Sequence, residues 1–137
     1  MNAVFATKPG GIMILVMECP DISEPPEFAE AFGQSDTSAA EQALRQHFTI
    51  GAFSAYKTQE IIESMRAVFV VTERKNFDIM KQSGQIPVES LEEAWQATNA
   101  ILAEDGKEDY TIALMPYAAS TLPVIKKTRE EIEYDIE

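Results

Sequence analysis

Apolar residues fall in short continuous runs along the chain, separated by longer amphipathic stretches. Three runs stand out, over residues 12–17, 67–71 and 110–115. An apolar run of this length, bounded by turn residues, is typical of a strand that is buried on both faces. Strands that alternate with helices form parallel sheets covered on each side. The pattern therefore predicts an α/β fold, a Rossmann-like three-layer α/β/α sandwich with a mostly parallel sheet of about four strands.

The remaining strand is predicted over Ile86-Pro87-Val88, where the proline favours an edge or a position outside the hydrogen-bonded ladder. The clearest helix begins at Ser90, since Ser90 and Glu93 have the spacing of a capping box, and it ends at Asp105-Gly106. Four shorter helices are predicted: one over 27–32, one capped by Thr37 or Ser38, one over 53–65, and one that Asn76 caps and Gly84 ends.

The length of the chain, its net charge and its cysteine count exclude several classes of protein. The 137 residues fit one domain, predicted over 1–127, followed by an acidic tail over 128–137. A net charge of −12 argues against a nucleic-acid or anionic-membrane surface, since both require clustered Lys and Arg. A single cysteine excludes an internal disulfide. With no signal peptide and no run of roughly 20 apolar residues, the predicted location is the cytoplasm, with no membrane partner.

Candidate chemistry lies where the first two strands end, because ligands of parallel sheets bind at the carboxyl ends of the strands. Glu18 and Cys19 close the first strand, and Thr72 follows the second. A catalytic Cys19 requires a histidine beside it, and the chain has only His47. A buried structural cysteine and a surface histidine are favoured over such a pair. No spacing of metal ligands is present, so no catalytic residue and no metal ligand is assigned.

Two further segments have open interpretations. The loop from Tyr117 to Pro123 is rich in small and hydroxyl residues, and Ser120 and Thr121 either contact a ligand or cap a turn. Gly51-Ala52-Phe53 begins a helix whose amides face either an anion or a neighbouring domain.

Several phrases taken together resemble the C-terminal domain of the lactate racemase family, whose enzymes use a nickel-pincer nucleotide. The matching phrases, in chain order, are Ala6-Thr7-Lys8-Pro9-Gly10-Gly11 with the strand that follows it, Glu18-Cys19, Pro26-Glu27-Phe28, Ile50-Gly51 before Ala55-Tyr56-Lys57, Val68 to Thr72, Ser90-Leu91-Glu92-Glu93-Ala94, and Met115-Pro116 with Thr121-Leu122-Pro123. Their order and spacing cover nearly the whole chain.

The resemblance implies a racemase or epimerase of a small 2-hydroxy acid, with its active site in a cleft between two domains. The histidine proton relays, the cofactor lysine and the nickel-ligating histidine belong to an N-terminal cofactor-binding domain or subunit, which is the implied partner. This domain alone is expected to bind no cofactor. A Tyr-Gln-x-x-Lys substrate-binding stretch would, by its spacing, end before Met1. The cleft-lining candidates here are Glu18, Cys19, Phe53, Thr72 and Tyr117.

The sequence departs from its relatives at two places. Ala52-Phe53 stands where many have histidine or tryptophan, and Pro116-Tyr117-Ala118-Ala119 replaces a Pro-His-Gly or Pro-x-Gly-Gly phrase. These changes leave the identity of the substrate open. The alternative hypothesis is a non-catalytic binding or assembly module that forms homodimers through an apolar face. Under either hypothesis the isolated chain is expected to be inactive.

Overall fold

The computed structural model describes residues 2–22, 26–32, 37–107 and 109–124. Three strands alternate with five α-helices, after a 3₁₀ turn over Asn2–Ala6. The strands are β1 (Ile12–Val16), β2 (Ala67–Val71) and β3 (Ile86–Val88), and the helices are α1 (Pro26–Phe32), α2 (Thr37–Gln46), α3 (Ile50–Ser64), α4 (Phe77–Gln82) and α5 (Leu91–Glu104). The predicted acidic tail over 128–137 lies outside the described residues.

The sheet has the order β1-β2-β3, and both pairs are parallel. Ile12 pairs with Ala67 at one end of the first ladder, and Val16 pairs with Val71 at the other. This parallel sheet with packed helices confirms the predicted α/β class. Pro87 lies in β3, which is an edge strand, as the proline indicated.

Side chains alternate between the two faces of the sheet and so form two separate cores. One face packs against α1, α3 and α4, and its buried residues are Met13, Phe32, Ala55, Ile62, Val68, Val70 and Met80. The other face is covered by α5, where Phe69, Val88 and Ala94 are buried. Helices on both faces of one sheet produce the three layers that were predicted.

Helix α3 runs opposite to the strands. Its last residue accepts a hydrogen bond from Gly10 N at 3.0 Å, and Arg66 N donates to Gly11 O at 2.9 Å, so this end lies beside the start of β1. A helix of 15 residues is about 22 Å long. Its first turn, where the Thr49 side chain accepts from Ala52 N, therefore lies at the carboxyl end of the sheet.

The prediction that α3 begins at Phe53 was wrong by three residues. The Thr49 hydroxyl satisfies an amide of the first turn, and the helix begins at Ile50. Gly51 therefore lies inside the first turn of the helix.

The prediction of a strand from Tyr110 to Met115 was also wrong. Residues 109–115 are described but form no strand, so the sheet has three strands within the described residues rather than about four. Tyr110 is 46% exposed, Ile112 63% and Leu114 85%. The composition of this segment favours an extended backbone, but a strand also requires a neighbour to pair with, and composition does not supply one.

The cap of α5 gives a first testable prediction. The Ser90 hydroxyl accepts from Glu93 N at 3.1 Å, and the Glu93 carboxylate accepts from Glu89 N at 3.0 Å. Ser90→Ala removes the first bond and is expected to lower the free energy of unfolding by about 1 kcal/mol. Urea denaturation measures the change, with Ser54→Ala at an exposed position inside α3 as the control. Equal effects of the two changes would contradict the capping role.

Candidate functional site

A shallow, open groove of about 600 Å³ lies where the three parallel strands end. Its lining comes from the ends of β1 and β2 and from the segments that follow all three strands: Val16, Met17, Glu18, Val71, Thr72, Glu73, Arg74 and Glu89. This is the edge at which ligands of parallel α/β sheets bind. Two of the predicted cleft residues, Glu18 and Thr72, line the groove.

The backbone after β1 turns sharply at Cys19, beside the groove. Cys19 has a φ of +49°, which is uncommon for a residue other than glycine. The Asn76 side chain holds this corner, since its Nδ2 donates to Glu18 O at 3.1 Å and to Cys19 O at 3.0 Å. Three groups from two strand ends therefore meet in one hydrogen-bonded network that fixes the direction of the chain at Glu18.

Thr72 belongs to the same network. Its hydroxyl donates to Glu18 O at 3.0 Å and accepts from Asn76 Nδ2 at 3.0 Å. Both side chains are buried, with Asn76 only 2% exposed. The hydroxyl of Thr72 is thus engaged in holding the corner, and Thr72 acts on the groove chiefly through the position it gives to Glu18.

Sequence reasoning identified Asn76 only as a helix cap. Its side chain makes no capping bond to α4 and reaches instead to carbonyl groups 57 and 58 positions earlier in the chain. No local pattern signals a contact over that separation. The only available signal was the position of Asn76 shortly after a strand that ends at the functional edge of the sheet.

The structure does not support a reactive thiol at Cys19. Burial of the side chain raises the pKa of the Cys19 thiol, and no positive charge among the described residues acts against this shift. His47 follows α2, is exposed, and forms no hydrogen bond with Cys19 among the described residues. At neutral pH the thiol is protonated, which is unfavourable for a nucleophile.

Alkylation kinetics test this conclusion directly, because the chain contains a single cysteine. At pH 8 the folded chain is expected to react with iodoacetamide several times more slowly than the same chain in urea. The thiolate is the reacting form, and both burial and the raised pKa of Cys19 reduce its availability. The reaction rate of the folded chain should continue to rise above pH 9. A rate in the folded chain that exceeds the rate in urea would restore the Cys19–His47 hypothesis.

The charged groups around the groove are mostly carboxylates. Arg74 is paired with Glu89 at 2.5 Å, and Lys75 with Glu73 at 2.7 Å. The hydrogen bond from Lys75 to Glu73 is the main reason that the pKa of Lys75 is raised. Each of these cations is thus matched by a carboxylate, so the described residues give the groove no surplus of positive charge with which to attract an anion.

Phe53 and Tyr117 lie apart from the groove lining. Phe53 is in the first turn of α3, 42% exposed, with its ring 5.7 Å from that of Phe48. Together with Ile50 these residues form an exposed apolar surface, here named the aromatic patch (Phe48, Ile50 and Phe53). Tyr117 is 79% exposed in a turn closed by Ser120 N, which donates to Tyr117 O at 2.9 Å. The structure therefore brings together Glu18, Cys19 and Thr72 but neither of these two aromatic residues.

Comparison with known proteins identifies one similar solved structure. No protein-family model and no curated protein matches the chain. The chain is similar to the lactate racemase apoprotein from Thermoanaerobacterium thermosaccharolyticum, with a TM-score of 0.64 and 25% sequence identity over 76% of this chain. The match covers 26% of that protein, so the chain spans about a quarter of its length. The chain therefore has a lactate racemase-like fold.

Proposed function

We propose that this chain is the C-terminal, substrate-side domain of a lactate racemase-like racemase or epimerase of 2-hydroxy acids. The observation that carries the proposal is the structural likeness to a lactate racemase apoprotein over 76% of this chain. The likeness extends over only 26% of that protein. The greater part of an enzyme of that kind, including its catalytic groups, would accordingly belong to a partner domain or subunit.

The groove supports a role in positioning rather than in bond-making. Glu18 lies at its edge on a backbone corner that Thr72 and Asn76 fix by hydrogen bonds. A corner fixed in this way can present a carboxylate or a backbone group to a small substrate without a loss of order on binding. Closure of such a domain over a partner's active site would orient the substrate and exclude water.

The residues of this domain do not fit the nickel-pincer nucleotide. The described part of the chain has no group of three or more His, Cys, Asp or Glu side chains able to hold a metal ion. The groove offers carboxylates and already paired cations, which disfavour a phosphate-bearing ligand. The proposal therefore places the cofactor in the partner domain and assigns no chemical step to it here.

The activity test compares the chain alone with the chain and its partner. The isolated chain, supplied with nickel and the cofactor, is expected to interconvert no D- and L-lactate, as measured by chiral chromatography. The coding sequence upstream of Met1 and the neighbouring reading frames should encode a histidine-rich cofactor domain. Co-expression with that domain should produce turnover of a 2-hydroxy acid. Turnover by the isolated chain, or the absence of such a domain, would contradict the proposal.

The aromatic patch favours a second candidate, a non-catalytic module that forms homodimers. Phe48 is 63% exposed and Ile50 79% exposed, and both lie at the carboxyl end of the sheet with Phe53. A surface of this kind is typical of a protein interface. In the racemase proposal the partner domain covers the patch, whereas in the alternative a second copy does.

Sedimentation velocity over a range of concentrations distinguishes the two candidates. A dimer that Phe48→Ser and Ile50→Ser disperse, while Val124→Ser at another exposed apolar position does not, would favour the alternative. A monomer at every concentration would contradict it.

A further inference from the structure

Within the described part of the chain, one edge of the sheet is open. Among the described strands, β1 pairs only with β2. Gly11 O, just before β1, accepts from Arg66 N, and Met17 N, just after β1, donates to Val71 O. The backbone groups of the odd-numbered residues between them, Met13 and Leu15, therefore also face β2. Backbone groups alternate in direction along a strand, and those of Ile12, Ile14 and Val16 therefore face the open edge. An open, apolar edge strand is a template for pairing with a further strand.

The segment over 109–115 has the composition of a strand but no partner strand in the part of the molecule that the structure describes. It contains Tyr110, Ile112 and Leu114, all exposed, separated by Thr111 and Ala113. Leaving so many apolar side chains in water is unfavourable, at roughly 25 cal/mol for each Å² of apolar surface. The described residues therefore include both an unpaired edge and an unpaired strand-like segment.

The segment begins at the right end of the sheet to pair with β1. Asp105, at the end of α5, forms an ion pair with Arg66 at 3.3 Å, and Arg66 N is bonded to Gly11 O at the start of β1. The Tyr110 hydroxyl donates to Asn99 Oδ1 of α5 at 3.3 Å. Residue 110 is thus held near the amino end of the sheet, from which a strand parallel to β1 must start.

The handedness of the connections agrees with this position. The helices between β1, β2 and β3 lie on one face of the sheet, and α5 lies on the other. Crossovers between parallel strands are right-handed, so a helix on the opposite face leads back across the sheet in the opposite direction. A strand that follows α5 is therefore directed to the free side of β1. The segment that this topology places at the open edge is residues 110–115 of the same chain.

We propose that residues 110–115, which form no strand in the arrangement described above, close on the open edge of β1 in a second state of the same molecule and pair there as a fourth parallel strand. This closure rests on the fold and does not depend on the proposed function. It carries Tyr117, which follows Met115 by two residues, to the carboxyl end of the sheet next to Val16 and Glu18. The consequence for the site does rest on the proposed function: closure adds Tyr117 to the groove.

Residue-resolved amide hydrogen exchange by NMR tests the closure in the unchanged chain. The amides of Ile12, Ile14 and Val16 should exchange at least about tenfold more slowly than in the variants Ile112→Pro and Ala113→Pro. Neighbouring residues of a strand direct their N–H groups to opposite sides, so one of the two prolines must remove a bond to β1. Met13 and Leu15, whose amides face β2, should be protected equally in all chains. Ala118→Pro, beyond the segment, is the matched control and should leave the exchange unchanged.

Three outcomes would overturn the proposal. The first is fast exchange at Ile12, Ile14 and Val16 in the unchanged chain. The second is protection that neither proline reduces, since some other group would then cover the edge. The third is protection that disappears on dilution together with a dimer in sedimentation, since a second copy would then supply the strand. None of these outcomes depends on racemase activity, so failure here is distinguishable from failure of the proposed function.

Discussion

Changing Asn76 to aspartate is expected to lower the free energy of unfolding by about 3 to 5 kcal/mol at pH 7. The side-chain nitrogen of Asn76 faces three oxygen atoms, those of Glu18 O, Cys19 O and the Thr72 hydroxyl. A carboxylate has no hydrogen to donate, so it would place a buried negative charge against acceptors. Urea denaturation measures the loss. Asn99→Asp, at an exposed position of α5, introduces the same group and should change stability by no more than about 0.5 kcal/mol.

The stability lost in the Asn76→Asp variant should also depend on pH. Burial against oxygen atoms raises the pKa of an aspartate at position 76 in the folded state above its unfolded value of about 3.9. The penalty is therefore absent below the unfolded pKa and grows as the pH rises towards the folded pKa. The deficit relative to the unchanged chain should be smaller at pH 5 than at pH 7. A deficit that is independent of pH, or equal to that of Asn99→Asp, would show that Asn76 does not hold the corner.

Phe69→Ala is expected to lower the free energy of unfolding by about 3 to 5 kcal/mol. Phe69 is 1% exposed in the central strand and packs with Val88 and Ala94 beneath α5. Its removal takes away buried apolar surface and leaves a cavity that a sheet held on both sides cannot easily close.

Phe48→Ala is the matched control for this change. Phe48 is 63% exposed, so the same truncation should cost less than about 1 kcal/mol. Urea denaturation of both variants provides the comparison. Equal losses would mean that the core beneath α5 contributes little to stability, contrary to the packing described.

Much of the fold was predictable from local sequence. The continuous apolar runs gave β1 and β2, and the Ser90–Glu93 spacing located the start of α5. Pro87 indicated an edge strand, which β3 is. These signals succeed because each one depends on neighbouring residues, namely turn chemistry, helix capping and the burial of a continuous apolar segment.

The errors arose where structure depends on distant partners. The run over 110–115 looks like a strand by composition, but a strand also requires a partner to pair with, and this segment has none among the described strands. Within the candidate site, Glu18, Cys19 and Thr72 were expected near one another because they follow two strands, and they do share one hydrogen-bonded corner. Asn76, which holds that corner, was not identified because its side chain contacts residues 57 and 58 positions earlier in the sequence.

The open edge of β1 also determines how this protein should be handled in solution. At neutral pH the net charge of −12 keeps copies apart by electrostatic repulsion. The isoelectric point lies near pH 4.4, where that repulsion vanishes. Wherever residues 110–115 are not paired with β1, this edge then meets the edges of other molecules without a barrier, and such contacts lead to aggregation rich in β-structure. The protein should therefore be purified and stored well above pH 5, where the net charge opposes contact between the edges of two molecules.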